Sequence, residues 1–366
     1  MTHSCTRLPG RALVAGIIAL AASQGSVLAQ GCVAVRGAGS CAANPAGMTN
    51  LLDAKWVASV SYRWLHSDRH FVGDVEQTQR HDIGNQVVND SHFIDLGLSY
   101  SFTPRYSVNL ALPFVRHDRS SWYEHTRTNR YHSQSGGLGD ARLTFSTWIL
   151  DPVKLPSGNL QIGLGVKAPT GDYAATDTFT TVNGPVTGYV DQSIQPGDGG
   201  WGITLELNGY QSISHGFYAY GQGFYLANPR DVNGTSTRSG NPRGNPYEQI
   251  TSVPDQYLAR GGFGYAVPWV KGLTITLGGR VEGVPVEDII GSENGFRRPG
   301  FSISIEPGIS WMTGHWNFAL SAPVMLYANR QRSVADERFS NDTGVFRHGD
   351  AAFASFLLSF SASRSF

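Results

Sequence analysis

The stretch SGGLGDARLTFSTWIL, residues 135–150, decides how this chain is read. From Asp140 onward it alternates. Asp140, Arg142, Thr144 and Ser146 fall on one side, and Ala141, Leu143, Phe145 and Thr147 on the other. Successive side chains of a strand point to opposite faces, so this strand is apolar on one face and charged on the other. Leu138 lies three residues before Ala141, and both can face the apolar side only if the strand slips by one residue. Gly139 is the residue to absorb that slip, as a bulge or bend.

The same alternation recurs along the chain. KWVASVSYRWL (55–65) sets Trp56, Ala58, Val60, Tyr62 and Trp64 against Ser59, Ser61 and Arg63. FIDLGLSYSF (93–102) opposes Ile94, Leu96, Leu98 and Tyr100 to Asp95, Gly97 and Ser99. YSVNLALPFV, NLQIGLGVK, WGITLELN, LTITLGGRVEG, FSISIEPG, WNFALSAPVMLY and the terminal FASFLLSFSASRSF repeat the pattern. Two segments rich in Tyr and Gly, 217–226 and 256–266, read as strands whose faces the pattern leaves open.

Connection lengths alternate as well. TPR, DPVKLPSG, SISHG, PWVKG and MTGH are short turns, whereas 66–91, 117–137, 172–200, 227–255, 283–300 and 330–350 are long and polar. Short turns at one end and long loops at the other is the plan of a transmembrane antiparallel β-barrel with periplasmic turns and extracellular loops. The segments number about twelve, an even count that puts both barrel ends on the periplasmic side. Lipid offers no hydrogen bonds to a strand edge, so such a sheet must close on itself. Trp56, Trp64, Tyr106, Trp148, Trp201, Trp269, Trp311, Trp316 and Tyr327 lie near strand ends, where interfacial aromatic girdles belong. A soluble β-sandwich tolerates the alternation but not this loop asymmetry.

The N-terminus fits export. Arg7 and Arg11 precede an apolar run, and SVLAQ offers small residues for cleavage after Ala29, so 1–29 reads as a signal peptide. The run is too short for a membrane-spanning helix. The whole chain carries 28 basic and 28 acidic residues; the leader takes two Arg and no acid, leaving a slight negative balance and no footprint for nucleic acid. Residues 30–53 form an arm before the barrel at 54–366, and it either plugs the periplasmic mouth or trails in solvent. Cys32 and Cys41 in this arm either close a small disulfide loop or stay as two unpaired thiols.

Residues expected to point inward include five cations, Arg63, Arg142, Lys167, Arg260 and Arg280, and five anions, Asp95, Asp140, Glu206, Glu282 and Glu306. Charge inside a membrane wall is costly unless it meets water or a partner. The ten therefore read either as an ion-paired brace or as a constriction along a solute path. The strand phase of Arg260 is the least defined. His66, His70, His81, His117, His125, His132 and His348 fall in the expected outer loops without metal-ligand spacing, so no metal and no cofactor is implied. GGLGDA lacks the strand–turn–helix setting of a phosphate loop, since nothing after it reads as a helix. No G-x-S-x-G elbow appears, so an enzyme is not expected.

Several motifs carry a resemblance. YRWLHSDRHFVGD, GGLGDARL, GLGVKAPTGDY, QPGDGGWG and NGFRRPGFSISIEPG are similar to outer-membrane proteins of the meta-pathway phenol-degradation (MetA-type) transporter-like family. The similarity runs from about Lys55 to the C-terminus, with GLGD and K-x-P-T-G-D its more specific pieces. It implies a Gram-negative outer-membrane barrel passing small, often aromatic or hydrophobic, solutes. The terminal Phe366 resembles the aromatic recognised by the barrel-assembly machinery, although Arg364 interrupts the expected apolar alternation. Outer-membrane lipid, lipopolysaccharide and a small-molecule solute are the expected partners. The alternatives are a lipid- or lipopolysaccharide-modifying enzyme and a closed structural or adhesive barrel.

Overall fold

A strand with one face in hydrocarbon cannot leave its backbone unpaired. In the computed structural model, which describes residues 54–237 and 244–366, twelve antiparallel strands meet that demand by closing into a barrel. The signal peptide, the arm and Cys32 and Cys41 lie outside the described residues. The wall strands are β1 (Trp56–Val72), β2 (Val88–Ser101), β3 (Tyr106–Ser121) and β4, in two pieces (Tyr131–Leu138 and Arg142–Trp148). Next come β5 (Gly158–Lys167), β6 (Gly202–Ser214), β7 (Phe217–Ala227) and β8 (Gln256–Ala266). The last four are β9 (Leu273–Val284), β10 (Gly300–Thr313), β11 (Trp316–Ser321 with Val324–Arg330) and β12 (Ala351–Ser365). Each pairs with its neighbour in sequence, and β1 closes on β12 from Val57 opposite Ser365 to Phe71 opposite Ala351. Both barrel ends meet at the short-turn mouth, where the Lys55 N–H donates to the Phe366 carbonyl at 3.1 Å.

The faces sort by polarity. Leu96, Leu164, Ile203, Leu277 and Ile305 are exposed on the outside, while Ser61, Thr144, Thr204, Ser304 and Ser361 are buried inside. The two undecided strands resolve as well: Tyr218, Tyr220 and Phe224 of β7 and Leu258 and Arg260 of β8 face inward. Trp56, Trp201, Trp269, Trp311 and Trp316 are exposed outside, as girdle residues should be. Trp148 is not one of them. It follows Thr144 and Ser146 on the inward face, is 8% exposed, and packs edge-on against Tyr210 at 5.9 Å.

The slip in β4 is a one-residue bulge. Leu138 pairs with Phe114, Gly139 N–H donates to the Pro113 carbonyl at 2.7 Å, and pairing resumes with Arg142 opposite Ala111. Leu138, Leu143 and Phe145 consequently share the exposed outer face, and Ala141 lies in the bulge between them.

Two expectations about the loops need correction. The stretches 66–91 and 117–137 are largely strand, because β1 to β4 continue above the membrane. There the outward residues become Asp90, His92, Arg116, Asp118, His132 and Gln134, so the apolar alternation stops while the ladder does not. His66, His70, His117 and His132 accordingly sit on strands rather than in loops. The loops also hold structure: hairpin Thr176–Thr181/Gly184–Tyr189, helix α1 (Gln79–Ile83) and helix α2 (Val334–Thr343). α2 starts at a capping box in which Ser333 and Asp336 bond reciprocally, a signal present in the sequence as S-x-x-D.

The wall can be tested with one charge. Leu277 is exposed midway along β9, and Leu277→Arg should cost about 2–4 kcal/mol of folding free energy in bilayers. His132→Arg, on the part of β4 above the membrane, should change it by less than about 0.5 kcal/mol. Denaturant titration of both variants in lipid vesicles checks the pair.

Candidate solute path

The interior is built in three tiers. Nearest the short turns, small and hydroxylic residues line the lumen; at belt height, between the levels of Glu206 and Lys167, glycine is required where strands crowd. A Cβ on Gly165 would lie 2.6 Å from the Thr144 hydroxyl and 2.8 Å from the Leu143 carbonyl, closer than packing allows.

The second tier is a charged belt. Arg63 donates to Asp95 at 3.2 Å and lies over the Phe93 ring. Arg260 pairs with Glu306 at 3.0 Å and donates to Gln222. Arg280 holds Glu282 through two parallel bonds of 3.0 Å. Lys167 lies 3.5 Å from Asp140 and is bonded to Asp198. Arg142 differs: among the described residues it has no salt bridge, and its guanidinium sits 5.3 Å from the Phe224 ring centre. Glu206 accepts a hydrogen bond from Thr144 at 3.1 Å. All ten residues singled out in the sequence thus face inward, and eight of them form four ion pairs.

The third tier is a cap that the sequence reading missed. The loop 168–201 turns into the mouth and is clamped from both sides. Asp191 accepts from Arg298 at 2.6 Å and lies 3.6 Å from Arg119. Burial opposes its ionisation, but Arg119 and Arg298 outweigh burial and hold its pKa well below the usual carboxylate range. Lower in the loop, the Asp198 N–H and the Gly171 N–H both donate to the Asp140 carboxylate, at 3.1 and 3.0 Å. Asp288 secures Arg297 at 2.7 Å, and Arg297 and Arg330 have no exposed surface. Three motifs of the resemblance therefore meet at one cluster: GLGD supplies Asp140, K-x-P-T-G-D supplies Lys167 and Gly171, and QPGDGG supplies Asp198. Their short, Gly- and Pro-rich, acid-bearing character was the available signal; their convergence is a property of the fold.

Belt and cap leave little room. A cavity of about 40 Å³ lies between Pro113, Val115, Arg142, Pro196, Phe224 and Leu226. A second, of about 60 Å³, lies beside Ser193, Asp198, Gln256 and Arg298. Each is well below the ~150 Å³ that admits a benzene ring.

No protein-family model and no curated protein matches the chain. Among solved structures it is similar to the COG4313 outer membrane channel from Pseudomonas putida F1, with a TM-score of 0.56 and 14% identity over 86% of this chain and 96% of that one. The chain is an outer-membrane β-barrel. The beta domain of the Bordetella autotransporter Brka aligns more loosely, with a TM-score of 0.44 and 12% identity over 86% of this chain and 100% of that one. The CymD monoaromatic hydrocarbon channel aligns with a TM-score of 0.40 and 10% identity, covering 93% of this chain and 98% of that one.

The cluster at Lys167 makes a stability prediction. Lys167→Met leaves the Asp140 and Asp198 carboxylates buried together without a cation, and should destabilise the protein by about 3–5 kcal/mol. Adding Asp198→Asn to Lys167→Met should recover a large part of that loss. Unfolding of both variants in detergent, set out as a double-mutant cycle, checks the coupling.

Proposed function

We propose that this barrel is a gated channel that carries small solutes, aromatic and hydrophobic ones among them, across the outer membrane. The observation that carries this reading is the way the mouth is closed. The cap loop buries Val190 and Ile194, but its clamps to the wall are ion pairs and hydrogen bonds, at Asp191, Asp198 and Asp140. Polar contacts of this kind can be exchanged for water as a loop lifts, whereas a buried apolar interface cannot. Behind the cap, the belt carries five cations and five anions, so an ionic solute of either sign meets partners once the cap has moved. With the cap lifted, Pro113, Val115, Phe224 and Leu226 would give an apolar solute a wall to lie on.

Two further considerations support the proposal. The Pseudomonas putida protein of the same fold is an outer membrane channel, and the motifs resembling the MetA-type family converge on the Lys167 cluster at the cap. The enzyme alternative has less to rest on. The hydrogen-bonded pair Ser91 and His117, 2.8 Å apart, is buried inside the wall with Phe93 packed against the imidazole.

Planar-bilayer recording tests the reading. Wild-type protein should give rare or small openings. Asp198→Asn should raise open probability several-fold, and Arg142→Ala should shift selectivity toward cations by removing one positive charge from a balanced belt. A silent wild type together with a silent Asp198→Asn variant would favour a closed structural barrel. Uptake of phenol, benzoate and glucose into proteoliposomes then ranks solute classes.

A further inference from the structure

Arg364, the residue that breaks the apolar alternation of the last strand, has no part in the solute path. It faces outward, since β12 sets it opposite Ala58 of β1 and Trp316 of β11. Its guanidinium carbon lies 5.4 Å from the ring centre of Trp316 and 4.9 Å from that of Phe366, and both rings are exposed. Contact with aromatic rings uses the face of a guanidinium and leaves its in-plane N–H donors free. Arg364 is itself exposed, and among the described residues no carboxylate pairs with it.

The rim around it repeats this imbalance. The short-turn end of the barrel comprises residue 55, the turns 102–105, 149–157, 215–216, 267–272 and 314–315, and the strand end 364–366. These residues include Lys55, Arg105, Lys154, Lys271 and Arg364, and a single acidic side chain, Asp151. Asp151 lies 3.6 Å from Lys154 and neutralises none of the other four. Arg105 donates to the Trp148 and Ile149 carbonyls, which orders it without adding negative charge. Counting Asp53, which precedes the described residues in sequence, and a carboxylate at Phe366 still leaves the rim positive. The upper wall differs: Arg69 is matched by Glu76 at 2.6 Å, and Asp90 and Asp118 add acid to the outward face. Exposed Ile149, Leu150, Val153 and Trp269 lie among the rim cations. A collar that is apolar and cationic together suits the boundary between acyl chains and headgroups. The leaflet on the short-turn side is phospholipid, and a phosphate matches the planar fork of an arginine. We propose that this rim binds net-anionic phospholipid, with Arg364 holding a headgroup phosphate at the seam between β1 and β12. Lys55 adds charge at the same seam, where its backbone N–H meets the Phe366 carbonyl. The inference is independent of the channel reading, since lipid binding here does not require the lumen to open.

Native mass spectrometry of the purified full-length protein, titrated in detergent with phosphatidylglycerol or phosphatidylcholine, tests it. Both lipids carry a phosphate, but only the first keeps a net negative charge. Wild-type protein should prefer phosphatidylglycerol. Arg364→Gln should weaken that lipid about five-fold and phosphatidylcholine by less. Adding Lys55→Gln should weaken it further, and Arg364→Lys, which keeps the charge, should recover part of the loss. Arg116→Gln removes an exposed charge from the upper wall and should bind as wild type does. Heat-dependent migration on gels confirms that each variant is a closed barrel. Equal affinity of wild type for the two lipids, or equal losses in Arg364→Gln and Arg116→Gln, overturns the site. Displacement of the lipid by equimolar inorganic phosphate would assign Arg364 to free phosphate and overturn it too. Binding of polyglutamate without any lipid preference would assign the rim to an acidic protein, with the same consequence. Planar-bilayer conductance separates the two readings: conductance without lipid preference removes the lipid site alone, and preference without conductance leaves it standing while the channel reading falls.

Discussion

Every backbone N–H and C=O that passes through hydrocarbon must find its partner within the protein, and the ladder between β1 and β12 is where this chain meets that demand. Without it, two strands of more than a dozen residues would each present an open edge to lipid. The same rule accounts for a place where the wall is not continuous. Above Gly139 the upper piece of β4 pairs with β3 only, since β5 ends at Lys167. At that height the outward residues are polar, and the Gln134 N–H finds the Asp177 carboxylate at 2.6 Å instead of a strand. The hydrogen-bonded wall ends where water and loop side chains can take over from it.

Inside the wall the governing cost is the burial of charge. A buried ion without a partner is expensive, and the interior answers by pairing within the belt and across the cap. Lys167 shows how this links parts of the chain that are far apart in sequence. It ends β5, and it faces Asp140 from the bulge in β4 and Asp198 from the cap loop. Lifting the cap uncovers the lumen and strips Lys167 of one partner, so the motion has an electrostatic barrier that water or a solute must offset. Asp191 repeats the logic higher up, between Arg119 on β3 and Arg298 on the loop before β10.

How far the sequence discloses this depends on which physical signal each part obeys. Strands in contact with lipid advertise themselves, because hydrocarbon on one side and a small-residue lumen on the other enforce alternation; Leu143, Phe145, Leu164 and Ile203 show it directly. The bulge at Gly139 was also legible, since Leu138 and Ala141 could share a face in no other way. The signal fails where both faces are polar. His66, Asp90, Asp118 and His132 look like loop residues because water replaces lipid around the upper wall, yet the backbone ladder continues. Trp148 misleads for another reason: an aromatic near a strand end suits a girdle, but the period of two turns it inward onto Tyr210. The inward charges were readable one by one from strand phase. Their pairing, and the arrival of Asp191 and Asp198 from a long loop, depend on contacts between distant segments that no local pattern encodes.

The contrast between the lumen and the cavity between the loop at 122–130 and the hairpin at 176–189 follows from these constraints. A belt of buried charges must be dense to be satisfied, and so it leaves only room for water. A loop pair above the membrane has no such obligation, because water solvates its backbone and its outer side chains. It can therefore enclose a chamber of mixed polar and apolar lining without endangering the wall. Val182 and Val186 border that chamber with their side chains partly in solvent. Asp191, which lines this cavity, also anchors the cap through Arg119 and Arg298.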